Sequence, residues 1–385
     1  MGFVGLNVLT TRRDPGRTSG SGSRCRRSSV VCSVSNVDSA LVSKAGKADL
    51  KWDELGFAYV NTKCFVKCVY KDGQWGEMTI ETDPYVKVHI GATALHYGQS
   101  CFEGMKAFTG KDGKVRLFRV DENAKRLQTS TERMVMPEVP SNMFIEACKL
   151  AVRENIEYAP PYGFGGSLYV RPLMFGSGAR VGLQPADEYT FVVLVTPVGD
   201  YYKGGLSPVT AFVQTKYDRA APQGIGNVKV GANYAADILP FQICKSKGYP
   251  INLYLHPKTG KTVEEFGTSN FIALKGDSYV TPDSPSVLPS ITNKTLMHLA
   301  SEMGMQVERR PVTVEEIADF DEVAACGTAV VITPVTRLVH NDEVIKLGNY
   351  DDQVGPRFNE LYQNVRAIQN AEVEDRYGWT FDVME

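Results

Sequence analysis

The sequence predicts an α+β fold in two domains joined by a short connector, and three observations carry that expectation. Alternating apolar runs broken by turn signals mark strands. Capped stretches with apolar residues at helical spacing mark helices among them, and one turn-rich stretch near the middle separates two such sets. The length, 385 residues, exceeds one small core and allows two.

Residues 1–32 carry arginines at 12, 13, 17, 24, 26 and 27 against a single acid, Asp14, among many serines and glycines. An Arg-rich, Ser-rich, acid-poor start without a central apolar block is the signature of an organelle transit peptide. Val30-Val31-Cys32-Ser33 resembles a plastid processing site, so a plastid address is expected first and a mitochondrial one second. Residues 33–55 follow as a flexible N-terminal segment. Residues 56–196 then form a small α+β domain. Turn signals at Lys71-Asp72-Gly73 and Thr82-Asp83-Pro84 break residues 57–90 into strands, and Asp121 is placed to cap a helix with Ala124, Leu127 and Met134 on one face. A second helix follows Ser141, and strands around 167–172 and 188–196 complete the domain. Residues 197–208, rich in Gly and Pro, read as the connector, with Tyr201 and Tyr202 against a cleft.

The second domain, 209–385, opens with a strand near 209–215 and a helix over about 233–247. Strands at 251–256, 263–274 and 278–281 come next. A helix after Pro289 turns Leu296, Ala300 and Met303 inward and ends at Gly304, and Thr313-Val-Glu-Glu316 reads as a capping box.

Composition narrows the function. Forty-two basic residues against 44 acidic ones leave no electrostatic footprint for nucleic acid. No run of about 18 apolar residues marks a membrane span. The eight cysteines have no metal-site spacing, so buried, reduced thiols and no metal are expected. A small-molecule partner remains.

Within the second domain, Gly226-Asn-Val-Lys229-Val-Gly231 sets one lysine between glycines and apolar neighbours. Desolvation there disfavours the ammonium form and leaves a nucleophilic amine, while glycines let the backbone approach a ligand. An ordinary strand-to-helix turn with the lysine head in solvent fits the same residues. Glu264-Glu265-Phe-Gly-Thr268-Ser-Asn270 puts carboxylates at a bend, as a functional acid or a solvated turn. Leu288-Pro-Ser-Ile291-Thr292-Asn-Lys294 opens a helix whose N–H groups could cradle a phosphate.

Taken in order, Tyr97-Gly98, Phe102-Glu103-Gly104-Met105-Lys106, Arg126, Tyr169-Val-Arg171-Pro172, Gly226-Asn-Val-Lys229, Tyr234, Glu265-Phe-Gly-Thr-Ser-Asn270, Leu288-Pro289 and Gly327-Thr328-Ala329 resemble the class IV aminotransferases. Within them the chain is most similar to the branched-chain aminotransferase group of pyridoxal-phosphate enzymes, with the fold type IV (D-amino-acid aminotransferase-like) architecture. The resemblance runs from about residue 55 to the C-terminus, and the leader points to the plastid members from plants. It implies amino-group exchange between Leu, Ile or Val and 2-oxoglutarate, the final step of branched-chain amino acid biosynthesis, with pyridoxal 5'-phosphate as cofactor and a homodimer as the assembly.

The same resemblance implies roles. Lys229 is the catalytic Schiff-base lysine that also moves the substrate proton, Glu265 faces the pyridine nitrogen with Thr268 beside it, and Tyr234 binds the phenolic oxygen. Arg126, the Ile291 and Thr292 N–H groups and the Thr328 hydroxyl hold the phosphate. Tyr97, Phe102 and Tyr169, with Tyr202 from the connector, line the side-chain pocket. Arg171 takes the second carboxylate of glutamate, and the Thr328-Ala329 turn takes the α-carboxylate. Tyr169-Val-Arg-Pro172 argues against two activities of the same fold, a D-amino-acid transaminase and an aminodeoxychorismate lyase. It leaves open an aminotransferase for methionine-derived oxo acids, and a cofactor-binding protein without turnover is disfavoured by Lys229, Glu265 and Arg171 together. Two departures stand out: Val330 and Thr333 occupy the positions of the redox-active cysteine pair of mammalian members, and Ser290 replaces a common glycine, adding a hydroxyl but restricting the backbone.

Overall fold

The computed structural model describes residues 44–199, 206–350 and 352–385; the leader, residue 33–43 of the segment after it, and Tyr201 and Tyr202 lie outside the described residues. Two nine-stranded sheets organise it. The main path of the first runs Thr380–Asp382, Val115–Phe118, Met105–Thr109, Ser167–Gly176, Tyr189–Val198, Phe65–Lys71, Gln74–Trp75. The second runs Val263–Phe266, Ile251–Leu255, Val209–Gln214, Val331–His340, Glu322–Gly327, Ser269–Lys275, Ser278–Pro282, Gln306–Arg310. Helices α1 (Thr93–Tyr97), α2 (Val120–Arg133), α3 (Ser141–Glu154), α4 (Gly231–Ser246), α5 (Ile291–Glu302) and α6 (Pro356–Gln369) accompany them. The α+β class read from the sequence is the one observed.

Each helix buries its apolar stripe. Ala124 and Leu127 of α2 and Phe144, Cys148, Ala151 and Val152 of α3 join Phe191, Val193 and Val195 in the core over the first sheet. Leu296, Leu299 and Ala300 of α5 and Phe358, Leu361 and Val365 of α6 cover the second sheet with Ile272, Ala324 and Ile332. A separate cluster around Phe266, Phe271 and Phe320 fills its other face. The described residues all fall within one compact unit.

Several local expectations change. The helix expected to be capped by Asp121 begins one residue earlier, at Val120. Its cap position, Arg119, is left-handed with φ 58°, and Asp121 falls in the first turn, where its charge favours the helix dipole. The capping box at Thr313 is half made: Thr313 Oγ1 accepts from Glu316 N at 3.3 Å, but the Glu316 carboxylate turns to Arg310 and the helix is a short 3-10 turn, Glu315–Asp319. The described part of the segment expected to be flexible is held down, with Ala48 N donating to Glu157 O at 3.0 Å and Ala45 packed on the first core. The final strand, Thr380–Asp382, crosses the connector boundary and pairs with Val115–Phe118 of the first sheet. The described cysteines, at 64, 68, 101, 148, 244 and 326, are free and buried. No helix among the described residues is long and apolar enough to cross a membrane.

Candidate active site

Lys229 lies one residue outside the β-like N-cap of α4, and other elements hold both of its backbone polar groups. Its N–H donates to the Ser130 hydroxyl of α2 at 3.0 Å, and its carbonyl accepts from Phe102 N at 3.0 Å. The lysine is therefore fixed against the first sheet although its helix follows the second. The ammonium head is not in solvent: Nζ stands 2.7 Å from the hydroxyl of Tyr234, in the first turn of α4, and 4.8 Å from the Phe102 ring centre. Burial, and then the nearby Arg126 cation, lower its pKa to about 8. Tyr234 is pushed up to about 12, by burial first and then by Glu265, so its hydroxyl stays protonated and can serve as a donor.

A cavity of about 750 Å³ surrounds this amine, within the range that holds a cofactor and a small substrate. Phe102, Arg126, Tyr169, Arg171, Tyr234, Glu265, Thr268, Thr328 and Ala329 all line it, so the structure gathers residues from position 102 to position 329 of the chain.

Glu265 and Asn270 face each other across the two-residue turn Gly267-Thr268, as the bend in the sequence implied. The buried carboxylate accepts from Asn270 Nδ2 at 2.6 Å on one oxygen and from Leu288 N at 3.1 Å on the other, which also forms an ion pair with Arg219 Nη2 at 2.6 Å. Burial raises its pKa on balance, against the opposing pull of the Arg219 charge, the Leu288 N–H and the Asn270 amide. A carboxylate offers about four lone-pair sites, so one acceptor position remains. The solvated-turn alternative does not hold.

Arg126 is less free than the sequence implied. Nε and Nη2 bond both oxygens of the fully buried Glu103, at 2.8 and 2.7 Å, and Nη1 reaches Pro289 O at 3.1 Å. Three of five N–H groups are thus committed, leaving two for an anion. Ser290 caps α5, its hydroxyl accepting from Asn293 N at 3.2 Å with φ −71°, so replacing the glycine costs no backbone strain here. Ser290 lines the main cavity, and Ile291 and Thr292 line a small adjoining void that shares Thr328 with it.

Tyr169 and Arg171 face the cavity together, as alternate strand residues must. The Arg171 guanidinium lies 4.7 Å from the Phe102 ring and 5.1 Å from the Tyr169 ring and donates to the Tyr169 hydroxyl at 3.0 Å, while its Nε is buried without a partner among the described residues. Tyr97 is not brought here. It is exposed on α1, and its hydroxyl donates to the Val181 carbonyl, away from the cavity of its own chain. Gly226 also departs from expectation: its close neighbours are Ser286 O and Arg219, not cavity space.

Sequence reasoning missed several lining residues. Leu194, Thr196 and Val198 reach the cavity from alternate positions of a strand paired with Tyr169 and Arg171, and Phe57 and Tyr59 close another side. The period-two pattern of 188–196 carried that signal for the strand residues. Lys106 Nζ, buried, donates to Ala329 O at 2.7 Å and pins the 328–329 turn. Among the described residues no His, Cys, Asp and Glu group could hold a metal.

An activated lysine, a buried acid and a helix N-terminus around one cavity are the working parts of an enzyme that handles amino groups through a phosphorylated aldehyde, and the chain belongs to the class IV aminotransferases, whose family model matches residues 100–338. It is 44% identical over 342 residues to a branched-chain-amino-acid aminotransferase of Haemophilus influenzae, covering 87% of this chain and 99% of that one. It is also 38% identical over 347 residues to the chloroplastic branched-chain-amino-acid aminotransferase 5 of Arabidopsis thaliana, covering 89% and 83%. Among solved structures, the Escherichia coli branched-chain amino acid aminotransferase superposes with a TM-score of 0.71 at 28% identity, covering 84% of this chain and all of that one.

Proposed function

We propose that this chain is a pyridoxal-phosphate-dependent aminotransferase that exchanges the amino group between branched-chain amino acids and 2-oxoglutarate, in the last step of their synthesis. The observation that carries the reading is that a buried amine with a lowered pKa shares one cavity with both Glu265 and Arg171. The residues fit the cofactor: an amine for its aldehyde, one free acceptor position on Glu265 for a ring N–H, and first-turn N–H groups of α5 for a phosphate.

When bound, pyridoxal phosphate supplies an electron sink for the charge left at the amino acid's α-carbon. Lys229 holds the cofactor and, once released from it, carries the proton to and from that carbon. The Tyr234 hydroxyl, already 2.7 Å from the amine, orients it and donates to the phenolic oxygen. Glu265 keeps a proton at the ring nitrogen. The two remaining Arg126 N–H groups, the Ile291 and Thr292 N–H groups and the Thr328 hydroxyl would hold the phosphate, and Thr268, which lines the same cavity, would help to seat the cofactor. Phe57, Phe102, Tyr169, Leu194 and Val198 exclude water and accept an apolar side chain. The same pocket takes glutamate because the Arg171 head offers a charged fork, while Lys106 presents the 328–329 turn to the α-carboxylate.

A panel assay tests this reading. The mature protein with pyridoxal phosphate and 2-oxoglutarate is expected to form glutamate from L-leucine, L-isoleucine and L-valine by ping-pong kinetics. Pyruvate without glutamate, a preference for D-amino acids, or activity confined to methionine-derived oxo acids would each overturn it.

The assembly is a homodimer in this reading, supported by the exposed apolar group Ile90, Leu95, Tyr97, Val181 and Leu183, which no described residue covers. Sedimentation giving a monomer at micromolar concentration would count against it. The leader addresses the chain to the plastid stroma, a placement supported by its arginine and serine content; failure of isolated chloroplasts to import and shorten the precursor would refute that.

A further inference from the structure

The geometry assigns Arg219 a positioning role: it locks the Glu265 carboxylate to the loop that carries Lys229, so that the acid and the amine keep a fixed separation. The inference rests on the reading of Glu265 as the group facing the cofactor's ring nitrogen. Arg219 is 8% exposed, and its Nη2 reaches three chain segments. It lies 2.6 Å from Glu265 Oε1 on the strand Val263–Phe266. It donates at 3.0 Å to the carbonyl of Gly226, three residues before Lys229. It also donates to the carbonyl of Ser286, in the stretch leading to Leu288, whose N–H bonds the same carboxylate oxygen at 3.1 Å. One guanidinium thus joins the acid, the lysine loop and the approach to the phosphate-binding helix.

A second observation is independent of those bonds. A Cβ added at Gly226 would stand 2.2 Å from Ser286 O and 2.8 Å from Arg219 Nη2, so only glycine lets the loop close onto the arginine. The glycine of the lysine motif therefore serves the arginine rather than a ligand. The charge matters as well as the shape. In this dry environment a carboxylate without a cation drifts toward the neutral acid, which would no longer hold a proton on a ring nitrogen. All three contacts run through Nη2, while Nε is buried without a partner among the described residues, so what suits a guanidinium to the place is that it keeps its charge when buried, where an ammonium would be driven toward the neutral amine.

The test uses the holoenzyme loaded with cofactor labelled with ¹⁵N at the ring nitrogen. Arg219→Gln is expected to move that resonance from the protonated toward the neutral position and to lower kcat by about 10²-fold, with KM for leucine changed by less than about threefold. Arg219→Lys restores part of the protonated signal, which a purely structural role would not do. Gly226→Ala, which displaces the arginine while leaving it in the chain, shifts the resonance in the same direction as Arg219→Gln. Glu265→Gln separates the two layers of the argument. If it leaves the resonance in place, the reading of Glu265 fails; if it moves the resonance and Arg219→Gln does not, the role of Arg219 alone fails. Should Arg219→Gln not fold, an unshifted resonance in Gly226→Ala overturns the inference.

Discussion

Replacing Lys229 with alanine is expected to lower turnover by about 10⁴-fold or more and to abolish the visible absorbance of lysine-linked pyridoxal phosphate. One side chain serves here as tether and as proton carrier, so its loss removes two functions. The fold should persist. The bonds to Ser130 and Phe102 use the backbone of Lys229 and remain in the variant. Thermal unfolding of the cofactor-free variant should match or exceed that of the parent, since a buried amine held at about 8 is a strained place for a cation. The sign follows from linkage: the folded value lies below the 10.5 of an unperturbed lysine, so between about 8 and 10.5 the unfolded chain binds more proton and stability rises with pH. Capture of pyridoxal phosphate by cofactor-free protein should likewise rise through about pH 8 and then level. A midpoint near 10.5, or an active Lys229→Ala, would remove Lys229 from the reaction.

The second large effect is expected at Arg171. Arg171→Leu should lower kcat/KM for 2-oxoglutarate by about 10² to 10³-fold, the scale on which a buried charged partner is lost, while kcat/KM for leucine falls by less than about tenfold. The asymmetry comes from position. The guanidinium lies along the Phe102 and Tyr169 rings, so a leucine of similar bulk preserves the apolar wall and removes only the charge. Stopped-flow measurement of the two half-reactions reads the two substrates separately. Equal losses for both would mean that Arg171 shapes the pocket without recognising a carboxylate.

The site was legible in the sequence wherever a function requires one residue type at one place in the chain. Lys229, Tyr234 and Glu265 belong to that group, and the turn at Gly267 marked the hairpin that presents the acid. What stayed hidden depends on contacts between distant segments. Arg219 reads as one more charged residue in a loop until the fold sets it against Glu265, 46 positions on. Phe57 and Tyr59 read as the start of the strand-rich stretch 57–90, and their place on the cavity follows from the packing of the first sheet. Arg126 was found, but its pairing with Glu103 was not, because a buried ion pair leaves no periodic trace. Tyr97 is the opposite case: a motif marks the residue, and α1 places its side chain outside the cavity of its own chain. Elements were legible by the same logic. Helices with a one-sided stripe, α3 and α5 above all, were placed within a few residues, whereas α6 and the last strand passed unnoticed.

That last strand governs the order in which the molecule can be made. Thr380–Asp382 is an outer strand of the sheet that begins at Phe65, and Val383 beside it is wholly buried. A ribosome therefore adds about 260 residues after Phe118 before its second strand partner exists. Until then that edge stays unpaired, open to association with other chains. Removal of residues 380–385 would leave a protein with every residue of its active site and an unfinished sheet.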